Sequence, residues 1–331
     1  MNRLVTADRG DAGHRLDHVV RRHLADVSQA TRTRVQAWIE GGRVTVNGAT
    51  AHRVAARLAL GDRLAIALPD QAPRTKMTAE EVRLDILYED DHLLAINKPA
   101  GFVAHPTFRH ATGTLMNALL GHAREWPAGQ RPSIVGRLDR LTSGLVIVAK
   151  TSGAHAKLQR ALSSSAASSH CRKEYLAVVY GRVRAARGAI DLRLGHDRED
   201  RRKIVGSPTE GAASLTRFER LASVAAPRVG LSLLRCLLVT GRRHQIRVHL
   251  AARGWPIVGD PVYCEPQWSR IEDVGLSAAL RTFPRQALHA HRVMFTHPYT
   301  GRSVAFEAPL PPDFEGLLAA VGLPTGAIPR H

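Results

Sequence analysis

The chain reads as an α+β protein with a mostly antiparallel or mixed central sheet, preceded by a small N-terminal α/β domain. Two observations carry that expectation. Beyond about residue 84, apolar runs of strand length follow one another with only a few helices among them: Val82 to Leu87, Leu93 to Ile96, Leu145 to Ala149, Tyr175 to Val179 and Leu231 to Val239. The first 70 or so residues instead show two short helical repeats and then an alternation. Between these regions PDQAPRTKMTAEE, following Leu68, is polar, holds two prolines and has neither period, as a linker does. The expected organisation is a domain over residues 13–75, a linker over 76–83 and a large domain over 84–320. A chain of 331 residues has room for both.

In the first domain Leu16, Val19, Val20 and Leu24 recur at helical spacing. Ser28 and Thr31 offer caps for a second helix through Val35, Trp38 and Ile39, which Gly41-Gly42 ends. Val44 and Val46 then alternate with polar residues into Asn47-Gly48, the signature of a tight hairpin. The exposed side of the second helix carries Arg32, Arg34 and Gln36, with Arg43 just beyond. Such a face grips phosphates or is simply solvated charge. In the large domain the clearest helices are Thr114 to His122, Ser152 to Leu162, and Arg243 to Arg253 with Gly254 as its stop. SSSAASS at 163–169 reads as a loop.

The net charge is +18 with a pI near 11.0. A field of that size attracts polyanions by phosphate neutralisation and counterion release, so nucleic acid is the expected partner. All but 6 of the 47 basic residues are arginine. That bias reflects genome composition in part, but the guanidinium fork also suits phosphates and stacks on bases. Three separated cysteines, Cys171, Cys236 and Cys264, fit neither a disulfide framework nor a thiolate metal site. No charged stub with an apolar run opens the chain and no apolar stretch is long enough to span a bilayer, so a cytoplasmic protein is expected.

Familiar catalytic devices are missing from the sequence: there is no Gly-Lys-Ser/Thr phosphate loop, dinucleotide fingerprint or His-Glu-x-x-His. The pairs His244/His249 and His289/His291 lack the partners a metal would need, and read as structural or RNA-facing. What stands out is IVGRLDRLTSGLVIVAK, residues 134–150, where Asp139 lies between Arg137 and Arg140 in a turn before a buried strand. A carboxylate beside fixed positive charge is a competent covalent nucleophile and needs no metal. By chemistry alone the better account is that Asp139 pairs with an arginine and caps the turn, since most Arg-flanked carboxylates are surface ion pairs.

The order of residues is more specific than their chemistry. TRTRVQAWIEGGRVTVNG, preceded by RLD at 15–17, resembles the S-four RNA-binding module. The segment 134–150 resembles the catalytic motif of the RluA-type pseudouridine synthases. In order around it stand YEDDHLLAINKPAGFVAHP (88–106), KEYLAVVYG (173–181), TGRRHQIRVHLAARGWPIVGDPVY (240–263) and LHAHRVMFTHPYTG (288–301), each similar to a motif of that family. The resemblance spans nearly all of residues 84–310.

It implies a cofactor-free enzyme that isomerises uridines in structured RNA, with large-subunit rRNA the first choice of substrate and a monomer the default. Position by position it makes Asp139 the nucleophile, Tyr175 the aromatic neighbour of the target base and Arg247 the basic partner of the aspartate. Arg137 would fill the space left by the flipped base. Arg140, Arg243 and His244 fall beside the presumed groove as RNA contacts, joined by Arg32, Arg34 and Arg43 from the first domain. Two positions depart from the pattern: Gly136 stands where the family usually has His, and Leu141 where an acidic residue is common. Glycine there is more usual in synthases of small-subunit rRNA. Such a synthase, one acting on tRNA, or a non-catalytic RNA-binding factor on the same scaffold are the alternatives.

Overall fold

The computed structural model describes residues 2–24, 27, 30–68, 77–106, 110–163, 171–197, 199–200, 203–225, 230–264 and 271–329. The chain divides into two compact units, Met1–Lys76 and Met77–His331.

The first unit contains β1 (Asn2–Thr6), α1 (Leu16–His23), α2 (Arg32–Glu40), β2 (Val44–Val46), β3 (Ala49–Thr50) and β4 (Arg63–Ala67). Its antiparallel sheet runs β1-β4-β2-β3. The apolar stripes of both helices meet in one core with Val44, Leu64 and Ile66. Thr31 caps α2, its Oγ1 accepting from the Arg34 N–H at 3.4 Å, while Ser28 lies outside the described residues. Asn47 and Gly48 have φ of 52° and 83°, the pair of left-handed residues that a two-residue hairpin of matching twist requires. Arg32, Arg34 and Arg43 are exposed. Gln36 is not: it donates to Asp17 at 3.0 Å, and the same carboxylate takes both arms of Arg15.

The second unit contains β5 (Ile86–Glu89), β6 (Leu93–Lys98), α3 (Leu115–His122), β7 (Ser133–Val135), β8 (Ser143–Ala149), α4 (Ser152–Ser163), β9 (Arg172–Tyr180), β10 (Arg187–Asp191), β11 (Arg193–His196), β12 (Ile204–Ser207), β13 (Leu215–Val224), β14 (Leu231–Leu238), α5 (Gln245–Ala252), α6 (Val274–Thr282), β15 (Leu288–Thr296), β16 (Ser303–Glu307) and α7 (Pro312–Ala320). A ten-stranded sheet runs β10-β13-β14-β9-β15-β8-β6-β5, with β16 on β15 and β7 on β8. Every pairing in it is antiparallel except β15 with β8, so the α+β expectation with a mixed sheet holds.

Two boundaries differ from the sequence reading. The strand expected from Val82 begins only at Ile86, opposite Ile96. One further backbone hydrogen bond, from the Asn97 N–H to the Asp85 carbonyl at 2.8 Å, continues the contact beyond that pair, and β6 itself ends at Lys98, before Pro99. The helix expected from Arg243 begins at Gln245, because His244 takes a left-handed conformation (φ 54°) that an α-helix cannot include. Of the expected linker and serine loop, residues 69–76 and 164–170 lie outside the described residues. Residues 78–80 are tied to α3, with the Asn117 side chain donating to the Thr78 carbonyl at 2.7 Å and Glu80 N–H to the Asn117 carbonyl at 2.9 Å.

The parallel contact at the middle of the sheet depends on a missing side chain. Gly144 faces Ala290 with φ of 108°, and a Cβ there would meet the Ala290 carbonyl oxygen at 2.2 Å. The glycine therefore serves close strand approach rather than a turn. Gly144→Ala is expected to cost on the order of 3 kcal/mol, read as a drop in the urea midpoint at unchanged slope. A midpoint within error of the parent would refute this account.

Beside Gly144, Ser143 shares a hydrogen bond of 2.9 Å with Nδ1 of His289, whose Nε2 lies 3.3 Å from the Ala308 carbonyl. His289 is fully buried, and burial pushes its pKa down to about 4. The folded imidazole thus resists a proton that the unfolded one takes near its ordinary pH. Its contribution to stability is complete above about pH 6.5 and is lost as pH falls towards 4, by up to about 3 kcal/mol. Denaturant titrations from pH 7.5 to 4.5 should show this decline, and it should flatten in His289→Gln. An unchanged slope in that variant would move the effect elsewhere.

Candidate active site

Asp139 lies in the loop that enters β8, and its carbonyl accepts the Thr142 N–H at 3.1 Å. The loop is held from below by Lys98. That amine is almost wholly buried and donates to the carbonyls of Pro99 (2.8 Å), Phe102 (3.3 Å) and Arg140 (3.1 Å). Burial, helped by nearby Arg285, pushes it down to about 7, while Asp139 and three carbonyl acceptors favour the ammonium. Gly101 N–H also bonds the Arg140 carbonyl at 2.8 Å. The loops after β6 and before β8 are thus tied to each other.

Arg247 reaches the aspartate from α5. The helix is buried around its whole first turn and a half, and each polar residue there finds partners. Gln245 donates to the Leu215 carbonyl and Thr216, and His249 contacts Thr216 and Ser214. The Arg247 guanidinium forks onto Asp260, Nε to Oδ2 at 2.7 Å and Nη2 to Oδ1 at 2.8 Å, and its remaining Nη1 donates to Oδ2 of Asp139 at 3.0 Å. Its side chain is 5% exposed, that of Asp260 0% and that of Asp139 22%. One cation therefore serves a buried carboxylate that anchors it and a half-exposed one that it presents. Burial opposes the guanidinium's charge, but the hydrogen bonds and attraction of Asp260 and Asp139 outweigh it and raise its pKa.

Tyr175 comes from β9, whose register sets it opposite Ala290 of β15, itself opposite Gly144 at the head of β8. It packs against both large apolar clusters of the unit. Burial and the Asp139 carboxylate push its phenol up, so it stays protonated at neutral pH. His244 is half-buried. Its Nδ1 shares a 2.8 Å hydrogen bond with the Tyr263 hydroxyl, and its Nε2 lies 3.9 Å from Oδ1 of Asp139. Burial, with Arg247 and Arg243 nearby, pushes this imidazole down to about 4 against the pull of Asp139, so it is neutral at pH 7. Arg137 and Arg140 are exposed on the aspartate loop and Arg243 is half-buried.

The sequence reading missed Asp260 and Tyr263, although both stand in the motif 240–263. Asp260 fixes Arg247 and also accepts the Val262 and Tyr263 N–H groups, and the Tyr263 ring lies 5.0 Å from the guanidinium carbon. The available signal was that an arginine on a buried helix needs a buried carboxylate. His249, His289 and His291 are interior residues rather than RNA-facing ones. Among the described residues no group of three or more His, Cys, Asp or Glu is placed to hold a metal ion.

A family model described as RNA pseudouridylate synthase matches residues 92–252, which include Asp139, Tyr175 and Arg247. The chain is 39% identical over 324 residues to an uncharacterised RNA pseudouridine synthase of Synechocystis, covering 95% of this chain and 92% of that one. The chain belongs to the RluA-type RNA pseudouridine synthases. This synthase is also 39% identical over 312 residues to ribosomal large subunit pseudouridine synthase D of Pseudomonas aeruginosa, covering 93% of this chain and 92% of the other. The protein of the same name from Neisseria meningitidis serogroup B is 38% identical over 315 residues, with 95% and 80% covered. Among solved structures, human RNA pseudouridylate synthase domain containing 4 superposes with a TM-score of 0.56 at 23% identity, over 72% of this chain and 92% of that one, a likeness of fold. The synthase is an isomerase that converts uridine in RNA to pseudouridine, and the reading of a non-catalytic factor is not favoured.

Proposed function

We propose that the synthase acts on large-subunit rRNA, with Asp139 as its nucleophile. The observation that carries the assignment is the carboxylate's position: 22% exposed, Oδ2 held by a buried, doubly paired arginine and Oδ1 without a hydrogen bond, 3.9 Å from His244, with the partly buried Tyr175 close enough to feel its charge. Pseudouridine formation breaks the bond between C1′ and N1, turns the base and joins C1′ to C5. The C5 hydrogen leaves as a proton and N1 gains one, so nothing is oxidised or reduced and no cofactor is needed. The base must first leave the stack, at a cost of a few kcal/mol. Arg137, exposed two residues before Asp139, is suited to fill the gap, and Tyr175 to lie against the extruded ring. Arg140 and Arg243 flank the loop as phosphate contacts.

Residues 13–75 act as an S-four-like RNA-binding domain that presents Arg32, Arg34 and Arg43, joined by 76–83 to the catalytic domain 84–320. The choice of large-subunit rRNA rests on the relatives named for that substrate. Among the described residues no helix is long and apolar enough to cross a membrane, consistent with a cytoplasmic enzyme, which we take to act as a monomer. The test is a map of pseudouridines across total rRNA and tRNA from cells with the protein, without it, and with Asp139→Ala. Loss of the same large-subunit sites in both altered strains is the expected result. Loss from small-subunit rRNA or tRNA would replace the substrate, and sites that persist with Asp139→Ala would remove the nucleophile.

A further inference from the structure

Arg247 accounts for one oxygen of Asp139. The other, Oδ1, faces Nε2 of His244 at 3.9 Å. Three features set that histidine apart. Its backbone is left-handed, with φ 54° and ψ 18°, a conformation that costs a residue with a Cβ about 1–2 kcal/mol. The loop before it is nonetheless pinned: the Gln245 side-chain oxygen accepts the Thr240 hydroxyl at 2.8 Å and the Arg242 N–H at 3.0 Å. Strain held in place by neighbours at a site's edge points to a requirement for where the side chain ends up.

The second feature is the tautomer. The Tyr263 hydroxyl accepts the Ile204 N–H at 2.9 Å, and its own hydrogen is free to point at Nδ1 of His244, 2.8 Å away. With that donation the imidazole proton sits on Nε2, the nitrogen that faces the carboxylate, and the carboxylate favours this form because the opposite tautomer would aim a lone pair at Oδ1. The third is charge. Buried among Arg247 and Arg243, the ring stays neutral at pH 7. A neutral donor orients a carboxylate by its dipole without adding a second full positive charge that would blunt a nucleophile.

We propose that His244 is a positioning residue for Asp139: the Tyr263 hydroxyl locks its tautomer so that the Nε2–H steers Oδ1 while Arg247 holds Oδ2. This rests on Asp139 being the nucleophile. The 3.9 Å separation is longer than a hydrogen bond, and the role given to His244 requires it to shorten in the reactive complex, as catalytic hydrogen bonds that are long in a free enzyme do. Contact with RNA phosphate is the competing role, and it makes the opposite kinetic prediction. A positioning residue acts on the chemical step, a phosphate contact on affinity.

The experiment measures release of tritium from C5 of 5-tritiated uridine in transcribed large-subunit rRNA, with kcat and KM determined for the full-length chain. His244→Phe keeps a ring but no N–H, and should lower kcat between about 10- and 100-fold with KM within about threefold. His244→Gln, which returns an N–H near the Nε2 position, should recover a substantial part, and Tyr263→Phe should lower kcat by a smaller factor. His244→Gly relieves the left-handed strain, so it should melt no lower than the parent yet share the kcat loss, which separates positioning from folding. A rise in KM at constant kcat, or no change in either, would overturn the proposal. Asp139→Asn runs alongside: if it retains turnover the nucleophile assignment falls, whereas a dead Asp139→Asn with a fully active His244→Phe removes only the role given to His244.

Discussion

Asp139→Asn should reduce single-turnover pseudouridine formation by on the order of 10⁴-fold or more, with RNA binding retained or slightly tightened. The amide has the size of the carboxylate and can still accept from Arg247, so the loop between β7 and β8 keeps its shape. What disappears is the charged oxygen, and the nearest carboxylate on Arg247 cannot replace it: Asp260 is fully buried and takes two hydrogen bonds from that guanidinium. Tighter binding follows because a negative charge is removed from a surface that meets phosphates. Stability should change little, since Asp139 is the more exposed of the two carboxylates. Rapid-quench release of C5 tritium together with filter binding of the same RNA checks both halves. Turnover within tenfold of the parent would mean that the nucleophile lies elsewhere.

Asp260→Ala should fail in the opposite way. Its carboxylate takes two hydrogen bonds from Arg247 and two from the Val262 and Tyr263 backbone. Deleting it leaves a guanidinium with 5% side-chain exposure facing an empty space. Removing one partner of a buried ion pair costs about 3–5 kcal/mol, so the melting temperature should fall by on the order of 10 °C. Activity should fall as well, because a released Arg247 no longer presents Asp139. Asp260→Asn, which preserves volume and one acceptor, should recover more stability than activity. Thermal melts beside turnover numbers separate these effects. A variant that melts like the parent would show that Arg247 is held by something other than Asp260.

Several features of the fold were legible because they are local. Thr114 caps α3, Asn47-Gly48 turns the hairpin of the first unit, and the apolar run Leu145–Ala149 lies in the central strand Ser143–Ala149, buried along its whole length. Each depends on neighbours within a few residues, the range over which the periods of 2 and 3.6 carry information. Of the site, Asp139 was visible through its motif and through the turn before that strand. Tyr175 and Arg247 were visible only through the resemblance. A tyrosine among apolar neighbours on a strand reads as core, and an arginine on a helix reads as surface. The helix misled for a definite reason: Gln245 to Leu250 are all buried, so no single apolar face marks which way Arg247 points. The left-handed His244 shortened the helix by a mechanism that periodicity does not detect.

By itself the sequence determined several of the elements, the basic character, a sheet that is antiparallel or mixed, the family, and the identity of the loop that carries Asp139. Tertiary structure alone decided which charges meet. Arg247 and Asp139 stand 108 positions apart in the chain. They meet because β8 lies parallel beside β15, β15 beside β9 and β9 beside β14, whose end leads into α5. Strand order is set by burying whole faces of many strands at once, an energy summed over the sheet rather than written in any segment. The pairing of Arg247 with Asp260, the contact of Tyr263 with His244 and the turning of Asp139 Oδ1 towards that histidine all follow from that order, since a buried charge settles where the assembled fold supplies its partner.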